Sequence, residues 1–125
     1  MNRPRLFATA IALSVAAASP TFAHEAAKGA NGGLRVDAGK YHTELVANGS
    51  TTVVVFLSDA ADKPVPAAGF KATAILVVDG KPQRFSLEPA DGARLVGTSP
   101  VVVAVGVKGV IQLTAPDGTT AQGKY

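Results

Sequence analysis

The sequence has no cysteine, no tryptophan and a single methionine, Met1. The absence of cysteine excludes a disulfide, a thiolate metal site and a thiol nucleophile. If Met1 is removed with an export signal, no thioether remains either, and the soft ligands on which Cu(I) sites lean are missing. Any metal must then be held by nitrogen and oxygen, which suits Cu(II) first, and Zn(II) or Ni(II) as well. Histidine is scarce too, with only His24 and His42. Charged residues make up 17% of the chain, and the formal net charge of +3 includes Arg3 and Arg5. No basic stripe is left for nucleic acid. No glycine-rich phosphate loop precedes a helix, and no serine or threonine sits in a recognisable nucleophile motif. With two histidines and no cysteine, the chain reads as a binding protein, not an enzyme.

What is present begins with an export signal. Arg3 and Arg5 supply a positive start, Leu6 to Ala18 is apolar, Ser19-Pro20 breaks the run, and Thr21-Phe22-Ala23 is a small-x-small cleavage motif. The apolar run is shorter than the roughly 20 residues of a membrane span. Residues 1–23 are therefore read as a signal peptide, with a periplasmic product that has no membrane anchor after cleavage. Cutting after Ala23 makes His24 the first residue, so an α-amine and an imidazole on one residue can close a chelate ring. A cut after Ala18 would start the chain at Ser19 and remove that amine.

Residues 24–33 (HEAAKGANGG) are small, polar and glycine-rich, the composition of a flexible arm. From Leu34 onward, short β-rich runs alternate with Gly, Pro, Asn and Asp, and no segment keeps a helical period. Strands are expected near 34–37, 41–47, 51–58, 70–78, 82–88, 93–97, 101–107, 110–115 and 119–124. The expected class is all-β: an antiparallel sandwich of about seven to nine short strands over 34–125. Asn48-Gly49 and Asp79-Gly80 are favoured hairpin dipeptides. A two-residue Asp79-Gly80 loop sets Val78 opposite Lys81, Ala74 opposite Phe85 and Ala72 opposite Leu87. Phe70, Leu76 and Val78 then share the core face, while Thr73 meets Ser86 and Lys71 meets Glu88 on the other. Pro64 and Pro66 keep the connection 59–69 extended and out of any central strand. Asp59 and Asp62 in it are accounted for by turn chemistry.

Chemistry concentrates on Tyr41-His42-Thr43-Glu44-Leu45. In a strand, His42 and Glu44 project to one face, about 6.6 Å apart. An imidazole and a carboxylate placed so can share one borderline metal ion. The arm from His24 to Leu34 spans up to about 33 Å extended, enough to bring His24 across. The candidate ligand set is His24, His42 and Glu44, with Asp37 of the preceding strand as substitute oxygen donor. The competing reading of His42 is a polar residue on the solvent face of an edge strand, balanced by Glu44.

The run Val53 to Val65, VVVFLSDAADKPV, resembles a motif of bacterial immunoglobulin-like and transthyretin-like sandwiches. Periplasmic copper-binding sandwiches of the copper-resistance protein C family are similar over this stretch and share a mature N-terminal histidine. That resemblance implies an immunoglobulin-like fold, with His24 ligating Cu(II) by amine and ring and His42 as the second histidine. AGKYHTELV, ATAILVVDGKPQRFSLEP and GVKGVIQLTAPDG also resemble small periplasmic proteins of proteobacteria, some linked to heavy-metal efflux, which implies an envelope partner in a metal efflux system. The expectation is a periplasmic Cu(II) carrier or buffer without turnover. The alternative is a metal-independent protein–protein module of an envelope complex, docking by strand addition at a sheet edge.

Overall fold

A computed structural model describes residues 26–125. The expected signal peptide, residues 1–23, and His24 lie outside the described residues. The fold is all-β and antiparallel, with no helix among the described residues. Its nine strands are β1 (Ala27–Lys28), β2 (Leu34–Ala38), β3 (Tyr41–Ala47), β4 (Ser50–Ser58), β5 (Lys71–Val78), β6 (Lys81–Pro89), β7 (Arg94–Val103), β8 (Lys108–Thr114) and β9 (Thr120–Lys124). They form one sheet in the order β1-β2-β3-β4-β7-β6-β5-β8-β9.

The β5–β6 hairpin has the register its sequence demands. Val78 pairs with Lys81, Ala74 with Phe85 and Ala72 with Leu87. Asp79 and Gly80 both take positive φ, 51° and 75°, as a tight two-residue turn requires. The ladder with β5 stops at Ala72–Leu87, and Glu88 pairs with Val96 of β7 instead of Lys71. This handover at the end of β6 joins the two parts of the sheet. It needs a glycine: a Cβ on Gly97 would lie 2.5 Å from the Ser86 carbonyl oxygen.

Residues 93–97 and 101–107, read separately in the sequence, fall together in β7 only as far as Val103, and 104–107 form the turn to β8. Thr98 pairs with Thr52 and Val103 with Ser50, so Ser99 to Val102 stand opposite Thr51 alone. Pro100 falls in this bulged stretch, where a missing N–H costs the ladder nothing. The buried Ser99 hydroxyl accepts from the Val101 amide there at 3.2 Å.

The sheet curls on its inner face, which carries the alternate residues of each strand. Leu57, Leu76, Leu87, Leu95, Ile111 and Leu113 are its largest fully buried apolar side chains. Burial of each contributes about 1.5–3 kcal/mol relative to exposure, and no disulfide assists. Tyr41 meets Phe70 edge-on, with ring centroids 5.2 Å apart at 85°. Across the seam of the curl β9 lies over β2 and β3, where a Cβ on Gly123 would come within 2.7 Å of Thr43 Oγ1.

Candidate functional site

Tyr41, Thr43 and Leu45 of β3 face the core; His42 and Glu44 face outward, on one side of the strand as the period-two rule requires. Both are nevertheless buried, with His42 8% exposed and Glu44 5%. β3 is an interior strand between β2 and β4. Two loops, 29–33 and 59–64, reach over its outer face.

The first loop belongs to Glu44. Where composition suggests a flexible arm over 24–33, Ala27 and Lys28 pair with Arg35 and Leu34, and Gly29–Gly33 forms a turn. The Glu44 carboxylate sits inside that turn. Its Oε2 accepts from the Asn31 amide at 2.9 Å and the Gly33 amide at 2.8 Å, and its Oε1 accepts from Asn31 Nδ2 at 3.0 Å. A methyl group on Gly29 would collide with that carboxylate. Charge-assisted bonds of this kind are the strong ones. Glu44 is thus committed to holding the loop and is not brought to His42.

Asp37 is. It pairs with His42 across β2–β3, and its Oδ1 lies 3.1 Å from His42 Nε2. Asp62 occupies the opposite side of the ring, its Oδ1 2.7 Å from His42 Nδ1. The same oxygen is 2.7 Å from Nη1 of Arg35. An ionised carboxylate only accepts hydrogen bonds, so Nδ1 donates to Asp62. The Nε2–Asp37 pair then calls for a positive particle between its members: a second proton or a metal ion.

The His42 hydrogen bond is the main cause that holds the Asp62 carboxyl below its ordinary value; desolvation opposes it, and the Arg35 and His42 charges add to the lowering. Beside these groups an open cleft of about 520 Å³ is lined by Asn31, Arg35, Glu44, Phe56, Asp62 and Pro64.

Sequence reasoning missed Asp62 and Arg35. Turn chemistry does operate in the loop, since Asp59 Oδ1 accepts from the amides of Ala61 and Lys63 at 2.9 and 3.0 Å. It does not account for Asp62, whose carboxylate leaves the turn for His42. The one signal was an aspartate, a residue tolerant of positive φ, three positions after the turn-forming Asp59.

Among the described residues no group of three or more histidine or acidic side chains is arranged to hold one metal ion. The two aspartates flank opposite ring nitrogens, so they cannot share one ion with His42. Two described donors, His42 Nε2 and Asp37 Oδ1, do converge. Donors each about 2.0–2.1 Å from a metal and at 90–100° to one another are separated by about 2.8–3.2 Å, and this pair falls in that range. No protein-family model, curated protein or solved structure matches the chain.

Proposed function

We propose that the chain is an exported, periplasmic binding protein for a divalent transition metal, Cu(II) foremost, which carries or buffers the ion without turnover. His24 would chelate through amine and imidazole, His42 would add Nε2, and Asp37 would supply oxygen. Glu44 leaves the ligand set, because its oxygens serve Asn31 and Gly33. The observation that carries this reading is the 3.1 Å separation of His42 Nε2 and Asp37 Oδ1, a nitrogen and an oxygen at the spacing of neighbouring ligands.

Strand pairing supports the third partner. Moving back from Lys28 to Ala27 moves the partner on β2 from Leu34 to Arg35, toward Asp37. β1 therefore runs, toward its start, along β2 in the direction of Asp37. The immunoglobulin-like or transthyretin-like sandwich belongs to the same proposal, supported by the Val53–Val65 resemblance and by an antiparallel sheet curled around one core.

The test is a Cu(II) titration of the exported protein, followed by calorimetry and visible spectroscopy, with H24A, H42A and D37N beside it. Each variant should weaken binding. Wild-type affinity no tighter than that of an unrelated peptide overturns the reading. The intact mass of the exported protein fixes the cleavage site, and a Ser19 start removes the chelating amine.

One observation favours the metal-independent interaction module as a second reading. Val102 at the end of β7 and Val105 in the turn to β8 are 58% and 78% exposed. A stoichiometric envelope partner recovered without metal, retained when 24–33 is deleted and lost in V102S/V105S, would favour that module.

A further inference from the structure

Asp62 reaches His42 from twenty positions away in the chain, and the loop is built to deliver it. The Asp59 amide donates to the Lys63 carbonyl and the Asp62 amide to the Asp59 carbonyl, both at 2.9 Å. An isolated Ser58–Pro64 bridge closes the base. Val65 then donates to Leu57 at 3.1 Å and Ala67 to Gly92 at 3.0 Å, fastening the rest of the connection to the sheet.

Within this frame Asp62 has φ of 60°, the left-handed region. Glycine occupies that region without steric cost, and aspartate pays about 1–2 kcal/mol for it. Strain held by the surrounding structure marks a place where the side chain is used. Here it is used twice through one oxygen, on His42 Nδ1 and on Arg35 Nη1.

We propose that Asp62 is a positioning residue: its carboxylate fixes the His42 ring in the tautomer that carries the proton on Nδ1, so that Nε2 is offered to a metal ion on the Asp37 side. This rests on the metal-binding reading above. Both ring nitrogens face a carboxylate, and the shorter contact, 2.7 Å to Asp62 against 3.1 Å to Asp37, decides which nitrogen keeps the one proton of the neutral ring; the ring itself is buried. Arg35 Nη1 holds the same carboxylate oxygen in place. Asp62 itself is no ligand, because it faces the nitrogen opposite the proposed metal. A carboxylate behind a ligating imidazole orients it and raises its basicity, and loss of such a partner weakens metal binding by about 10- to 100-fold.

The experiment has two arms. The first needs no metal: long-range nitrogen–proton NMR correlations of the His42 ring in the exported protein, at a pH where the ring is neutral. Wild type should show the proton on Nδ1. D62A should show a mixed or reversed tautomer. D62N should restore Nδ1–H, since asparagine tolerates the same backbone angle and offers a carbonyl oxygen. The second arm is Cu(II) affinity by competition, with electron paramagnetic resonance. D62A should bind about 10- to 100-fold more weakly with altered nitrogen couplings, and D62N should fall between. A wild-type ring protonated on Nε2 overturns the proposal, as does D62A with unchanged tautomer and unchanged affinity. H42A that binds Cu(II) as wild type does removes His42 from the ligand set and overturns the offer of Nε2 to a metal, whereas wild-type affinity no tighter than that of an unrelated peptide overturns the metal-binding reading itself; the tautomer is decided by the NMR arm regardless.

Discussion

The hydroxyl of Tyr125 donates to the backbone carbonyl of Thr43 at 2.8 Å and lies 2.6 Å from that residue's Oγ1. Tyr125 also exchanges backbone hydrogen bonds with Gly109 of β8, at 2.8 and 3.2 Å. One residue thus ties β8 to β3 across the seam of the curl, and Thr43 sits between His42 and Glu44. The seam and the candidate site share a strand.

Replacing Tyr125 with phenylalanine should lower stability by about 1–3 kcal/mol, because it leaves buried groups of Thr43 short of a partner. Urea denaturation should show a lower midpoint at unchanged slope. An alkaline signature accompanies it. Burial raises the Tyr125 phenol far above its ordinary value of 10.0, outweighing the Thr43 hydrogen bond, and Glu44 adds to the rise. A group whose folded value is raised contributes fully below its unfolded value and loses that contribution as pH climbs above it. Wild type should therefore lose stability relative to Y125F above about pH 10. Parallel curves there would contradict the buried phenol.

Gly123→Ala tests the same seam from β9. The new methyl would stand 2.7 Å from Thr43 Oγ1 and 3.0 Å from Val36 Cγ2. Overpacking of this kind costs about 1–3 kcal/mol. Gly49→Ala is the control, since its φ of 82° is strained for alanine but nothing lies within 4 Å of the new atom. Crowding adds to the cost only at Gly123, so G123A should show evidence of repacking in side-chain spectra that G49A lacks.

The sequence-level reading succeeded where pairing is local. Asp79-Gly80 sets the register of β5 and β6 by turn geometry, and the alternation of Ala72, Ala74 and Leu76 fixes the face. Asn48-Gly49 turns β3 into β4, although the ladder closes only at Ala47–Val53 because Ser50 pairs with Val103. Gly97 to Pro100 looks like a break and is a bulge, because Thr51 alone faces four residues. At the site, the shared face of His42 and Glu44 followed from strand period. Their separate partners did not, since Asn31, Asp37 and Asp62 reach β3 from three other segments. The glycines at 29, 32 and 33 carried a usable signal: such spacing allows a backbone to wrap an anion.

Glu44→Gln should loosen that wrapping. The neutral amide replaces one carboxylate oxygen with a donor, which then faces the donors of Asn31 and Gly33. A cost of about 1.5–3 kcal/mol is expected for bonds to a charged group. Hydrogen exchange should report it locally, with faster exchange at the Asn31 and Gly33 amides than at Leu57 or Leu113 in the core. Uniform acceleration would show instead that Glu44 supports the whole fold. Gly29→Ala should give the same local pattern by displacing the carboxylate.

Asp62 should give the fold an acid-dependent share of its stability. Its carboxyl is held below the ordinary 3.8 by the His42 hydrogen bond first, with help from Arg35. A group with a depressed folded value contributes above its unfolded value, and that contribution is lost as pH falls through the folded value. Wild type should exceed Asp62→Asn in stability at neutral pH, and the gap should close as pH falls from about 4 toward 2. Urea midpoints across that range measure it. Asp62 is open to solvent, so salt should shrink the gap at neutral pH while leaving the His42 hydrogen bond in place. Equal midpoints for wild type and D62N at every pH would mean that residue 62 acts through its φ of 60°, which asparagine shares, and not through its charge.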